Sequence, residues 1–233
     1  MDWLPPERYA AELEAETARF ATAVSALPAY RVVPTCPEWT VKDLVNHVGT
    51  GHRYAALIIK TDQMQPYEVI TAPADRTAWL ADGARELNEA VEERGFHGRV
   101  WTWQPRHLIA GFWLRRMVHD LVVHRFDADP SGDPATDLAA DGVADTLGTF
   151  EMFDRLSGEG ETLRFVASDT GRAWHVTRTK PGIEWGERPG AAAEVTVTAP
   201  ARDLVLILNR RMRPSAVEGE RAVWESWWEG SRF

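Results

Sequence analysis

Three polar residues stand where a helix should be apolar. In the segment from about His107 to Ala128, Ile109, Trp113 and Met117 recur at helical spacing and form one apolar stripe. Continued along the same face, that stripe reaches Asp120, His124 and Asp127. An ionised carboxylate on a core-facing stripe is costly unless it is paired or bound to a metal. Asp120 and His124 are i and i+4, so both can address one ion without distorting the helix. A third donor can come from the segment Thr40 to about Lys60. There His47 borders the apolar face made by Leu44, Val48, Ala55 and Ile58. His52 lies on the opposite border, because five residues turn a helix by about 140°. At most one of the two histidines therefore faces the same ion. Two histidines and one carboxylate suit zinc with an open position for a reacting group. The same set can hold non-haem iron, so spacing does not fix the metal. The competing reading has no metal: Asp120 forms a buried ion pair with Arg53, Arg116 or His124.

Other reactive side chains have structural explanations. Cys36, between prolines and ahead of Trp39, reads as a packed thiol, because a free cysteine behaves as a small hydrophobe. His119 and Arg125 lie off the stripe and read as surface or supporting groups. His97 and His107 flank a Trp-rich loop. Gly49 and Gly51 fall inside a predicted helix, where each costs about 1 kcal/mol against alanine. They would admit a close neighbour beside His47. Phosphate loops, dinucleotide fingerprints and Ser-His-Asp motifs are not evident in the sequence.

The elements that must position these groups follow from periodicity. A first helix spans Pro5 to about Leu27, with Leu13, Phe20, Val24 and Leu27 on one face. Tyr30 to Trp39, with Pro34 and Pro37, reads as an ordered loop. Thr40 is a predicted N-cap with Asp43 three residues on, an approximate capping box. A third helix is expected over Ala74–Arg94, a fourth over His107–Ala128 and a fifth over Ala135–Leu156. Beyond Ser157–Gly160 the period becomes alternating. Strands are predicted at Leu163–Ala167, Ala173–Arg178, Ile183–Gly186 and Glu194–Thr198, then helices at Ala201–Leu208 and Glu218–Glu229. Trp224, Trp227 and Trp228 share one face of the last helix and read as core. This predicts a helical bundle over residues 1–156 and a small α+β domain over 161–233.

Composition narrows the function classes. The chain has 233 residues, 44% hydrophobic and 26% charged, so it is globular rather than disordered. Its net charge of −9 argues against a general nucleic-acid binder. A single cysteine forbids an intrachain disulfide and a Cys-rich zinc site. Apolar runs are too short to span a bilayer, and the N-terminus lacks the basic start of a secretory signal. A cytoplasmic monomer with small-molecule partners is expected.

Three stretches resemble one known family in order along the chain. Cys36-Pro-Glu-Trp-Thr-Val-Lys-Asp-Leu-Val-Asn-His47 resembles a helix opening of the mycothiol-dependent maleylpyruvate isomerase family. Phe112 to Ala128, containing His119-Asp120, His124-Arg125 and Asp127-Ala128, resembles its HE-x-x-x-HR-x-D-A signature. Ala193 to Pro200, followed by Asp203 to Arg210, resembles its smaller domain. The resemblance implies a DinB-like four-helix bundle fused to an α+β domain that covers the site. It also implies a divalent metal, usually zinc, held by His47, His124 and a Glu position occupied here by Asp120. Aspartate reaches about 1.5 Å less than glutamate, one C–C bond. Asp127 is implied as a site carboxylate, and Arg210 as a basic group for catalysis and thiol binding. The implied activity is a mycothiol-dependent isomerase or S-transferase acting on a small electrophile. A binding protein that kept the fold and lost the metal is the alternative.

Overall fold

The computed structural model describes residues 3–232. It contains two compact units, one from Leu4 to Gly132 and one that takes in Asp133 and the residues after it.

The first unit is a bundle of four helices: α1 (Pro6–Ser25), α2 (Val41–Thr61), α3 (Arg76–Arg94) and α4 (Ala110–Ala128). Helix α2 begins with the predicted capping box. The Thr40 hydroxyl accepts from the Asp43 amide, and the Asp43 carboxylate accepts from the Thr40 amide at 2.9 Å. Helix α3 is capped by Asp75, whose carboxylate accepts from the Ala78 amide at 3.0 Å. Leu13, Phe20, Leu44, Ile58, Leu80 and Leu87 fill the bundle core.

Two expectations for this unit need correction. The segment read as a loop contains an antiparallel ribbon, β1 (Val32–Val33) and β2 (Cys36–Thr40). Pro34 sits in the turn, and Pro37 lies in a two-stranded ribbon where its missing N–H is tolerated. His119 and Arg125 are both buried, because α4 is enclosed on nearly all sides. His119 stands edge-on to Tyr9 with ring centroids 6.3 Å apart. Arg125 pairs with the buried Glu16 of α1 at 2.6 Å.

Gly49 of α2 faces Trp79 of α3. A Cβ there would lie inside the Trp79 ring, and that ring is also covered by the Arg53 guanidinium at 4.3 Å. Gly49→Ala is therefore expected to destabilise the protein by about 1–3 kcal/mol, the usual range for overpacking. Urea unfolding measures it, and an unchanged midpoint would contradict the close contact.

The second unit has α5 (Thr136–Phe150), a 3₁₀ turn (Asp154–Leu156), and a five-stranded mixed sheet. Its strands are β3 (Thr162–Ala167), β4 (Ala173–Thr179), β5 (Gly182–Glu187), β6 (Val195–Ala199) and β7 (Glu218–Gly219), in the order β5-β4-β3-β6-β7. Strands β3 and β6 are parallel and the other pairs antiparallel. Helices α6 (Ala201–Leu208) and α7 (Arg221–Gly230) complete it. Trp227 packs against Phe150 and Phe165, so the predicted tryptophan stripe is core. The last helix starts at Arg221 rather than Glu218, because Glu218 and Gly219 pair with β6 instead. Gly219 has φ 99°, and a Cβ there would strike the Glu194 carbonyl. Packing divides the chain between Gly132 and Asp133, upstream of the boundary read at 156–161. Helix α5 turns Ala139, Val143 and Leu147 inward and packs on α6, where Asn209 Nδ2 donates to Thr146 Oγ1 at 3.1 Å.

Candidate metal centre

Helices α2 and α4 pack side by side and bring three predicted donors together. His47 Nε2 lies 3.3 Å from Asp120 Oδ2, and His124 Nε2 lies 3.6 Å from the same oxygen. One donor atom from each residue lies within 4.8 Å of the others. Ligands about 2.1 Å from a tetrahedral zinc stand roughly 3.4 Å apart. The two measured edges match that spacing, so the donor set fits a divalent cation. The shorter reach of aspartate does not keep Asp120 from the two imidazoles. The His47 and Asp120 side chains are 31% and 27% exposed, which leaves the cluster an open side.

Two of the three donors are held from behind. His124 Nδ1 and Asp127 Oδ2 are 2.9 Å apart. A carboxylate on one imidazole nitrogen fixes the proton there and turns the other nitrogen's lone pair toward the site. The Thr35 hydroxyl donates to Asp127 Oδ1 at 2.5 Å, and the Cys36 thiol approaches Oδ2 at 3.8 Å. Asp127, expected in the site itself, therefore stands fully buried behind His124. Cys36, read as a packed small hydrophobe, is instead half-buried and turns its thiol toward this carboxylate. Arg116 donates to Asp120 Oδ1 at 3.1 Å, leaving Oδ2 to the imidazoles. The ion pair weighed as the competing reading is thus present beside the donor cluster.

The charge balance favours an ionised Asp120. Burial alone would raise its carboxyl. The charge of His124, the hydrogen bond and charge of His47, and Arg116 outweigh that and hold it well below the usual carboxylate range. Tyr67 feels the same cluster: burial first, then the Asp120 charge and Tyr54, push its phenol up to about 12.

Trp39 was missed as a site residue. Its ring lies 4.8 Å from that of His47 and 5.7 Å from that of His124, so β2 delivers an aromatic wall over both imidazoles. Gly51 leaves room for Met117, whose sulfur lies 3.4 Å from where a Cβ would stand. Arg210 belongs to the second compact unit. It has φ 62°, donates to the Trp228 carbonyl and lies 4.3 Å over the Trp228 ring. His97 and His107 join no metal-holding cluster among the described residues.

His47, and not His52, stands in the donor cluster. His52 is 1% exposed and its Nδ1 has no hydrogen-bond partner. Burial pushes its pKa down to about 4, with Arg53 and His47 adding to the effect and Asp120 opposing it. The unfolded chain protonates this imidazole near pH 6.5. Protons then bind the unfolded state preferentially, so stability is lost as the pH falls through 6.5 toward 4. The full window is worth about 3 kcal/mol. His52→Leu should flatten the pH dependence of the urea midpoint between pH 7 and 4.5. An equally steep dependence would contradict a neutral buried His52.

No helix among the described residues is long and apolar enough to cross a membrane. No curated protein matches the sequence. Among solved structures, the chain is similar to a mycothiol-dependent maleylpyruvate isomerase at 18% identity and a TM-score of 0.64. That match covers 93% of this chain and 95% of the other. A histidine-to-alanine variant of a mycothiol-dependent maleylpyruvate isomerase matches at 16% identity and a TM-score of 0.58, covering 90% of each chain. Both likenesses concern the fold: a helical domain followed by an α+β domain. Residues 10–129 match the family described as mycothiol maleylpyruvate isomerase N-terminal domain. That match takes in more than half of the chain and contains His47, Asp120, His124 and Asp127, so the chain belongs to this family.

Proposed function

We propose that this chain is a metal- and thiol-dependent enzyme, an isomerase or S-transferase acting on a small electrophile. His47, Asp120 and His124 are the metal ligands, zinc the metal and mycothiol the thiol cosubstrate. The observation that carries the reading is the spacing of the three donors, 3.3 and 3.6 Å about one carboxylate oxygen. A divalent cation held there supplies an open position that favours the thiolate form of a bound thiol.

The chain's own residues do the positioning. Asp127 keeps the His124 proton on Nδ1 and acts through that ring rather than on substrate. Arg116 occupies Asp120 Oδ1 and offsets part of its charge. Trp39 shields the imidazoles from water on one side. Arg210, whose guanidinium here donates to the Trp228 carbonyl, would exchange that partner for a carboxylate of thiol or substrate, which a guanidinium can bind in bidentate fashion.

The chemistry is balanced without a redox partner. The thiolate pair forms a C–S bond to a conjugated cis alkene, and the π pair moves onto the conjugated carbonyl as an enolate. The former double bond rotates. The enolate pair then re-forms the alkene in trans geometry and expels the thiolate. An electrophile that retains the sulfur yields a thiol conjugate instead: either the enolate carbon takes up the proton the thiol lost, or the electrophile's leaving group departs with its bonding pair as the C–S bond forms.

A second reading is a non-catalytic small-molecule-binding protein of the same fold. The Arg116–Asp120 contact favours it, because that pair compensates the carboxylate without an ion. Either way the partners are small molecules rather than nucleic acid or membrane, and the protein works as a cytoplasmic monomer.

Metal content separates the two readings. Protein purified with zinc present is expected to carry stoichiometric zinc, and His124→Ala to carry none. Mycothiol added to cobalt-substituted protein should produce a sulfur-to-cobalt charge-transfer band and raise the melting temperature. Metal-free wild-type protein, or a cobalt spectrum indifferent to thiol, would put the binding-protein reading first.

A further inference from the structure

Between Thr61 and Arg76 the chain has no regular structure, yet three α2 side chains tie it down. The Tyr54 hydroxyl donates to the Gln65 carbonyl at 3.2 Å. Thr50 Oγ1 accepts from the Ile70 amide at 2.9 Å, and Asn46 Oδ1 accepts from the Ala72 amide at 2.9 Å. Residues 46, 50 and 54 lie at four-residue spacing on one helix face. The segment therefore runs antiparallel to α2 as a strap. Asn46 and Thr50 are buried, and holding the strap is how their polar atoms are satisfied.

Between the anchors, α2 and the strap line an open-sided cavity of about 330 Å³. That size falls within the range of small-molecule pockets. Tyr54 and Leu57 line it from the helix, Pro66 and Ile70 from the strap. Tyr54 carries an aromatic cluster, with Tyr67 at 5.1 Å and Trp113 at 5.9 Å between ring centroids. The polar lining does not suit an anion. Arg53 is committed, donating to the Gly49 carbonyl at 3.0 Å and the Trp79 carbonyl at 2.7 Å. Glu68 adds a negative charge at the rim. The strap also shows apolar side chains to solvent: Met64 is 68% exposed, Val69 63% and Tyr67 46%.

We propose that the cavity under this strap is a binding site for an uncharged, apolar small molecule. It goes beyond the thiol-dependent reading, since it needs neither metal nor thiol. Its helix also carries His47, with Thr50 only three residues on, about 4.5 Å along the axis. The helical lining of the cavity thus begins about one turn beyond His47 and extends to Leu57, about 15 Å along the axis.

The test uses metal-free full-length protein and the neutral probe N-phenyl-1-naphthylamine, read by its fluorescence. Saturable binding at one site is expected. Leu57→Asp and Ile70→Asp should each weaken it about tenfold or more, because a charge must then be desolvated against apolar walls. Both positions are half-exposed, so the fold should survive, as circular dichroism checks. Val69→Asp, on the same strap but outside the lining, should leave affinity unchanged. The anionic probe 1-anilinonaphthalene-8-sulfonate should bind more weakly than the neutral one. No saturable binding, equal loss in Val69→Asp, or preference for the anionic probe would each overturn the proposal. Because neither metal nor thiol is present, its failure leaves the metal-centre reading untouched, and the converse holds.

Discussion

Asp127→Asn is expected to weaken zinc binding by about ten- to a hundredfold, the range for removing the carboxylate behind a ligating histidine, while leaving the fold intact. The reason is a proton. Asp127 Oδ2 lies 2.9 Å from His124 Nδ1 and has no proton of its own to give when ionised. It therefore stabilises the tautomer with hydrogen on Nδ1 and a lone pair on Nε2, the nitrogen 3.6 Å from Asp120. Asparagine keeps the volume and can still accept from the Thr35 hydroxyl through its carbonyl oxygen. Its amide group then faces His124 and donates to Nδ1, which moves the ring proton to Nε2, where it blocks a metal. Competitive titration against a chromophoric zinc chelator measures the loss. Asp127→Glu offers a useful contrast, because it keeps the charge while displacing it. Unchanged affinity in Asp127→Asn would show that the ring is oriented by packing, chiefly by Trp39, rather than by this carboxylate.

The donors were legible in the sequence because polar residues on an apolar stripe are costly and need a reason. Asp120, His124 and Asp127 announce themselves by that rule, and His47 by its place on the border of α2. What the period could not supply was depth. Helix α4 is buried nearly all round, so being off the stripe did not mean being at the surface for His119 or Arg125. Asp127 belonged to the right face but stands behind His124, a distinction that depends on the neighbouring Thr35 and Cys36. Trp39 was hidden by the two prolines before it, which read as loop punctuation while the chain forms a ribbon. The strands of the second unit were legible from alternation. The grouping of α5 was not, since a helix rich in alanine shows which face is buried without showing what buries it. Helix α6 on that face, with Asn209 reaching Thr146, is a tertiary fact.

Glu16→Ala should destabilise the protein by about 3–5 kcal/mol, the penalty for leaving one member of a buried ion pair alone. That is a large share of the roughly 5–15 kcal/mol that holds a typical domain folded. Glu16 Oε2 meets Arg125 Nε at 2.6 Å, with both side chains almost wholly withdrawn from water. Arg19 also donates to Glu16 Oε1 at 2.6 Å, but it is 57% exposed and can return to solvent. Arg125 has no such exit. It keeps the Gly132 carbonyl at 2.7 Å and a longer-range attraction to Asp129, and its charge stays inside the bundle. A pair of this kind is weak evidence for stability when whole and strong evidence when broken. The double variant Glu16→Leu with Arg125→Met should accordingly recover most of the loss, because it removes both charges and restores apolar volume. Urea unfolding of Glu16→Leu, Arg125→Met and the double variant closes the cycle. Arg125 lies next to His124 in sequence, so the same series reports on the metal centre. The single Glu16 variant should lose zinc affinity as α1 loosens from α4, and the double variant should regain it. A double variant no more stable than Glu16→Ala would mean that the pair fixes the register of α1 on α4 by its geometry, which apolar side chains cannot reproduce.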